Sequence, residues 1–165
     1  MRTVLVAVLT LAVLAMGAVA GVSWSDLRAL RDAEATGAEA MAAARSIAPA
    51  LLSYDHRTVE RDLARAAGHT TGALAGHYRR LGETLAPRAR AQKTVQTTVV
   101  TAAAVERAES GRAEILLFVN VGTVKEIPGE TEPQRQIVQN RARLVMVREG
   151  SRWLAADLSS LIGAA

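Results

Sequence analysis

A chain of 165 residues, 50% of them hydrophobic and 22% charged, is long enough for one domain of ordinary size and too evenly balanced to be a disordered polyelectrolyte. It has no cysteine, which excludes disulfides, thiolate metal sites and thiol catalysis; its aromatic residues are only Trp24, Tyr54, Tyr78, Phe118 and Trp153, too few for a base-stacking platform. The net charge of +4 arises between residues 54 and 93, where Arg57, Arg61, Arg65, Arg79, Arg80, Arg88, Arg90 and Lys93 are interleaved with Asp55, Glu60, Asp62 and Glu83. That alternation reads as a solvated helical face, and no nucleic-acid partner is expected.

From Thr3 to Ser25 there is no charge, and Val4 to Val22 is almost wholly apolar, close to the ~20 residues that a helix needs to cross a bilayer. Residues 1–25 therefore read as a transmembrane anchor. A cleaved secretory signal is the alternative, because Ala18-Val19-Ala20 fits the small-residue cleavage pattern. Arg2 precedes the segment, and Asp26, Arg28, Arg31, Asp32, Glu34 and Glu39 follow it without basic excess. This predicts a single-pass cell-membrane protein with a short cytoplasmic start and its bulk outside the cytoplasm. Gly17 and Gly21 form G-x-x-x-G, which lets another helix approach closely.

Residues 26–53 predict a long Ala-rich helix leading into the domain. Leu30, Ala33, Gly37, Ala40, Ala44, Ile47 and Leu51 recur at three- and four-residue steps, a stripe narrow enough for a close neighbour. That neighbour is either a helix of another chain, which would give a helix-mediated oligomer, or the domain's own sheet. Gly17, Gly21, Ala33, Gly37, Ala40 and Ala44 are the candidate contacts. Tyr54-Asp55-His56 reads as a turn, and Thr58 as the cap of a short helix over Val59–Ala67 that Gly68 ends. Thr70 or Thr71 opens another helix, with Leu74, Tyr78, Leu81 and Leu85 on its apolar face and Pro87 at its end.

After Lys93 the apolar period changes to two and β-branched residues take over. The expected strands are 94–105, 112–125, 134–149 and 152–158, joined by turns at Glu109-Ser110-Gly111 and Gly150-Ser151 and by a polar loop at 128–133. Helices followed by a meander predict an α+β domain over residues 54–165, its helices covering one face of a curved four-stranded antiparallel sheet and Trp153 packed inside. The three histidines, His56, His69 and His77, lack metal-ligand spacing, and there is no nucleophile elbow and no P-loop. No catalytic residue, metal or cofactor is expected. Tyr54 beside Asp55 is a base-and-donor pair by type, but at a turn an Asp commonly bonds its own backbone, and the pair reads as structural.

With these residues set out, the chain resembles the actinobacterial Mce-associated membrane proteins. The resemblance runs through the apolar span, the helix leading into Leu51-Leu52-Ser53-Tyr54-Asp55, Thr58, Thr71-Gly72, Tyr78 and the closing Gly150-Ser151-Arg152-Trp153-Leu154. It departs at His56, where an aromatic is expected, and in its very short cytoplasmic tail. The resemblance implies an extracytoplasmic cone like that of nuclear transport factor 2, also found in a scaffold component of type IV secretion channels. It implies structural roles for Tyr54, Asp55, Thr58, Thr71, Gly72, Tyr78 and Trp153 and no catalytic ones. It also implies a membrane-tethered accessory that stabilises or assembles a lipid or sterol import complex, with that complex's proteins as partners. The alternative is a binding module, or behind it an enzyme, that uses the cone's cavity for a small lipid or steroid, which an apolar pocket would favour and a filled core would not.

Overall fold

The computed structural model describes residue 28, residues 30–127 and residues 129–161. The proposed anchor, with Gly17 and Gly21, lies outside the described residues. Among those described, no helix is long and apolar enough to cross a membrane. The chain divides into two compact units, Met1–Ala35 and Thr36–Ala165. Ala33 belongs to the first; everything below concerns the second.

Helix α1 occupies residues 30–52 and passes through Pro49. It is followed by β1 (Tyr54–Asp55), α2 (Val59–Ala67), α3 (Gly72–Ala91), β2 (Val95–Glu109), β3 (Arg112–Lys125), β4 (Gln134–Glu149) and β5 (Arg152–Leu161). The sheet is antiparallel in the order β1-β2-β3-β4-β5. It has five strands where the sequence predicts four. Tyr54 and Asp55, read as a turn, pair with Gln96 and Val95, and the His56 N–H donates to the Thr94 carbonyl at 2.9 Å. Two residues suffice because the chain leaving α1 runs beside the first residues of β2.

The second correction concerns α3, which continues through Pro87 to Ala91 instead of ending there. Pro87 has no N–H for the Glu83 carbonyl, but both residues are exposed, so water can satisfy that oxygen. The third concerns length at the strand ends. β2 runs on to Glu109 and β5 to Leu161, because the β2–β3 and β4–β5 ladders hold residues whose side chains give no apolar alternation. β2 bends twice, with one extra residue between Val100 and Ala102 and another between Val105 and Arg107.

Alternation in β3 defines the faces. Ala113, Ile115, Leu117 and Val119 point to the helices and are buried, as are Leu144, Met146 and Ala155 across the ladder. They meet Ala40, Ala44, Ile47 and Leu51 of α1, Val59, Leu63 and Ala66 of α2, and Leu74, Tyr78, Ala86 and Ala89 of α3 in one contiguous core. The small-residue stripe of α1 has a reason within the chain: a Cβ added at Gly37 would lie 3.2 Å from Ala108 Cβ and 3.2 Å from Val105 Cγ1. Gly37, Ala40 and Ala44 are thus covered by the chain's own domain.

Candidate functional site

Of the resemblance residues, Tyr54, Asp55, Thr58 and Tyr78 gather at the junction where α1 ends. The last carbonyls of a helix have no partner within it, and here side chains from two other elements supply them. The Tyr78 hydroxyl of α3 donates to the Leu51 carbonyl at 2.8 Å. The Leu52 carbonyl accepts from Gln96 Nε2 at 2.7 Å and from Thr98 Oγ1 at 3.0 Å, while the Thr98 N–H of β2 donates to Ser53 Oγ at 2.9 Å. Burial pushes the Tyr78 phenol up to about 12. Tyr54 is half-buried, and its phenol is also raised by burial, with Arg88 opposing the shift.

Asp55 closes the other side. Its Oδ1 accepts from the Arg57 N–H at 2.9 Å and its Oδ2 from Arg57 Nη2 at 2.6 Å, and this guanidinium holds the carboxyl well below the usual carboxylate range. Asp55 therefore bonds its own turn, as expected of an Asp there. Thr58 differs from expectation. It sits at the start of α2 without capping it; its hydroxyl donates to Asp62 Oδ2 at 2.7 Å, and the same oxygen accepts the Asp55 N–H at 3.2 Å. Asp62 thus ties β1 to α2 from inside the helix.

Thr71 and Gly72 act at the opposite end. Thr71 precedes α3 without a side-chain cap; its hydroxyl donates to Glu149 Oε1 at 2.6 Å and its N–H to the Ala155 carbonyl at 2.9 Å. Gly72 has φ +57°, the left-handed region that favours glycine, and this lets the chain turn from the Thr70–Thr71 segment bound alongside β5 into α3. Trp153 is only partly buried against the core, so the expectation of a fully internal ring is corrected: it lies at the start of the outermost strand. Its indole Nε1 is buried without a hydrogen-bond partner among the described residues, as is His56 Nδ1, which lies 3.4 Å from Asp55 Oδ1.

Sequence reasoning missed Ser53, Asp62, Gln96 and Thr98 as members of the junction. Thr58 and Asp62 at i,i+4 were a usable signal; Gln96 and Thr98 in a β-branched run gave none. Beside the junction lies a solvent-open groove of about 550 Å³ lined by Ser46, Ser53, Asp55, Asp62, Arg65 and Gln96 among others. A second cavity of about 420 Å³ is lined by Glu126, Glu130 and Glu132 with neighbouring loop residues. Both have mixed polar and apolar linings. Among the described residues no group of three or more His, Cys, Asp or Glu stands where it could hold a metal ion.

Three helices over one face of an antiparallel meander define the class, an α+β domain, and its fold is like that of several solved structures. An IcmL-like type IV secretion system protein from Legionella pneumophila superposes with a TM-score of 0.57 at 13% identity, covering 78% of this chain and 94% of that one. An "Ntf2 like protein involved in plasmid conjugation" gives 0.53 at 12% identity over 78% of this chain and 50% of that one. At such identities the likeness is one of fold. No family model matches the chain. Over 141 residues it is 36% identical to "Outer membrane protein Rv1973" of Mycobacterium tuberculosis, covering 84% of this chain and 83% of that protein. The chain belongs to the Rv1973 family.

Proposed function

We propose that this protein is a non-catalytic, membrane-tethered accessory whose domain lies outside the cytoplasm and stabilises or assembles an Mce-type lipid or sterol import complex. Residues 1–25 are its single cell-membrane anchor, and residues 26–53 carry the tether into the domain. One observation carries the reading: the side chains between helices and sheet make one contiguous buried core, and the groove beside the junction opens to solvent with a mixed polar and apolar lining. A lipid- or steroid-binding module needs a mostly apolar concavity with a few convergent polar groups. The name of the Rv1973 protein supports a place in the cell envelope, and the secretion-system neighbour supports a domain that works beside other proteins. The Mce assignment rests on the resemblance of the motif order.

The test is to delete the gene and follow lipid uptake and the abundance of the associated import proteins together. Loss of both, restored by the wild-type chain and by Tyr54→Phe, is the expected outcome. Normal complex levels with failed uptake would favour the ligand-binding alternative.

A further inference from the structure

The sheet face turned away from the helices carries side chains that neither the core nor the junction uses. Residues directly opposite in an antiparallel ladder share a face. Phe118 stands opposite Ala102 and Arg141, Asn120 opposite Val99 and Gln139, Gly122 opposite Thr97 and Ile137, and Val124 opposite Val95 and Arg135. Residues 113, 115, 117 and 119 of the same strand are buried under the helices, so these four rows face outward. Val99 (56% exposed), Phe118 (39%), Val124 (37%) and Ile137 (80%) all lie on them. Single exposed apolar residues are ordinary; a group on one uncovered face marks an interaction surface. Gly122, with no side chain, leaves a dip among them.

Charge distinguishes the occupants. On β2, β3 and β4 these rows carry Arg135 and Arg141 and no carboxylate; Asp55 of β1, opposite Val95 at the sheet edge, is already held by Arg57. The next arginine along, Arg143, is held by Glu106 at 2.5 Å; Arg135 and Arg141 are exposed and have no acidic partner among the described residues. A second copy fits poorly, because a face-to-face pair would bring the unpaired arginines of both chains together with nothing to neutralise them. An anionic bilayer gains only about 1 kcal/mol per basic side chain, so two arginines hold a rigid sheet to it weakly. A helix laid over the sheet is the ordinary way to cover such a face.

We infer that this face docks an amphipathic helix of a different protein, with its apolar stripe over Phe118, Gly122 and Ile137 and its flanking carboxylates on Arg135 and Arg141. Six residues of strand separate the two arginines, about 20 Å, which is the rise of about 13 helical residues. The matching carboxylates therefore lie about two heptads apart on the incoming helix. The inference rests on the accessory reading only in needing a protein partner, and it is tested separately.

The test uses the full chain in detergent and two labelled synthetic helical peptides with the same Leu stripe, one flanked by Glu two heptads apart and the other by Lys. The Glu peptide should bind, more weakly as salt rises, and at least 10-fold more weakly to Ile137→Asp or to Arg135→Glu/Arg141→Glu. The double variant should bind the Lys peptide in its place, a reversal that misfolding cannot produce. A photo-crosslinker at position 137 in native membranes should join the chain to a different protein. Equal binding of both peptides, binding of neither, or no loss in the variants would overturn the inference. So would crosslinks only to a second copy or to lipid. The gene deletion reports on the complex and the peptide exchange on this face, so either reading can fail alone.

Discussion

Tyr78 shows how one hydroxyl couples two elements. Tyr78→Phe leaves the Leu51 carbonyl buried without its donor, and the expected cost is about 1–2 kcal/mol, seen as a lower midpoint in urea unfolding. The same group fixes an alkaline limit. Its folded pKa, about 12, lies above the unfolded value of ~10, so its contribution is complete below pH ~10 and is lost as pH rises towards 12. Tyr78→Phe should flatten that decline, and ultraviolet titration of the folded protein should show no tyrosine ionising at the ordinary value. Asp55 works in the opposite sense. Its carboxyl is depressed by Arg57, so its contribution is present above pH ~4 and is lost as pH falls below it. The Arg57 partner is largely exposed, so solvent screening leaves the pair a minor contributor to stability. Asp55→Asn should therefore change the midpoint little at neutral pH and reduce its acid dependence; a loss of several kcal/mol at pH 7 would contradict this account. Tyr54 and Asp55 could be singled out from sequence as an adjacent phenol and carboxylate, and Tyr78 from its place on an apolar helical face. The bonds of Gln96 and Thr98 could not, since they depend on where α1 ends in space.

At the scale of elements, helix and strand periods were legible wherever one face is buried. β3 and β4 begin and end where their apolar alternation and turn residues place them, and α2 does too, because Gly68 follows an amphipathic run with Val59, Leu63 and Ala66 inward. The misreadings share a cause: tertiary contact overrode a local signal. β1 exists only because β2 lies alongside it. Helix α3 survives Pro87 because Ala86 and Ala89 are held in the core on either side. Pro87→Ala restores the missing hydrogen bond at an exposed position, and thermal unfolding should show a gain of the order of 1–3 kcal/mol. A loss would mean that packing requires proline at this position. Trp153→Ala should cost roughly 2–3 kcal/mol by chemical denaturation, below the ~3–5 of a fully buried aromatic, because the ring is only partly covered. A cost near zero would place it outside the core.

For the molecule as a whole, the fold class was legible because an order of helices and then a meander leaves few architectures, while the outward face of the sheet was not, since alternation identifies which residues are buried but not which exposed ones cluster. The proposed function makes the tether part of how the whole acts. The junction binds the end of α1 to α3 and β2 through Tyr78, Gln96 and Thr98, so a displacement of α1 is passed to the sheet through short, directional bonds. On the proposed reading, the anchor then matters for more than location. If residues 1–25 are the anchor, amino-terminal sequencing of protein extracted from membranes should find the intact start, and a mature end at Gly21 would instead establish secretion. The consequence can be taken one step further by replacing residues 1–25 with a cleavable export signal. The freed chain, from residue 26 onward, should fold with an unchanged unfolding midpoint, because the core lies within Thr36–Ala165. It should nevertheless fail to restore complex levels in the deletion strain, since a partner held in the membrane then meets the domain only by diffusion, without the millimolar effective concentration that a short tether provides. Full restoration by the freed domain would show that surface alone is sufficient and that the tether is dispensable.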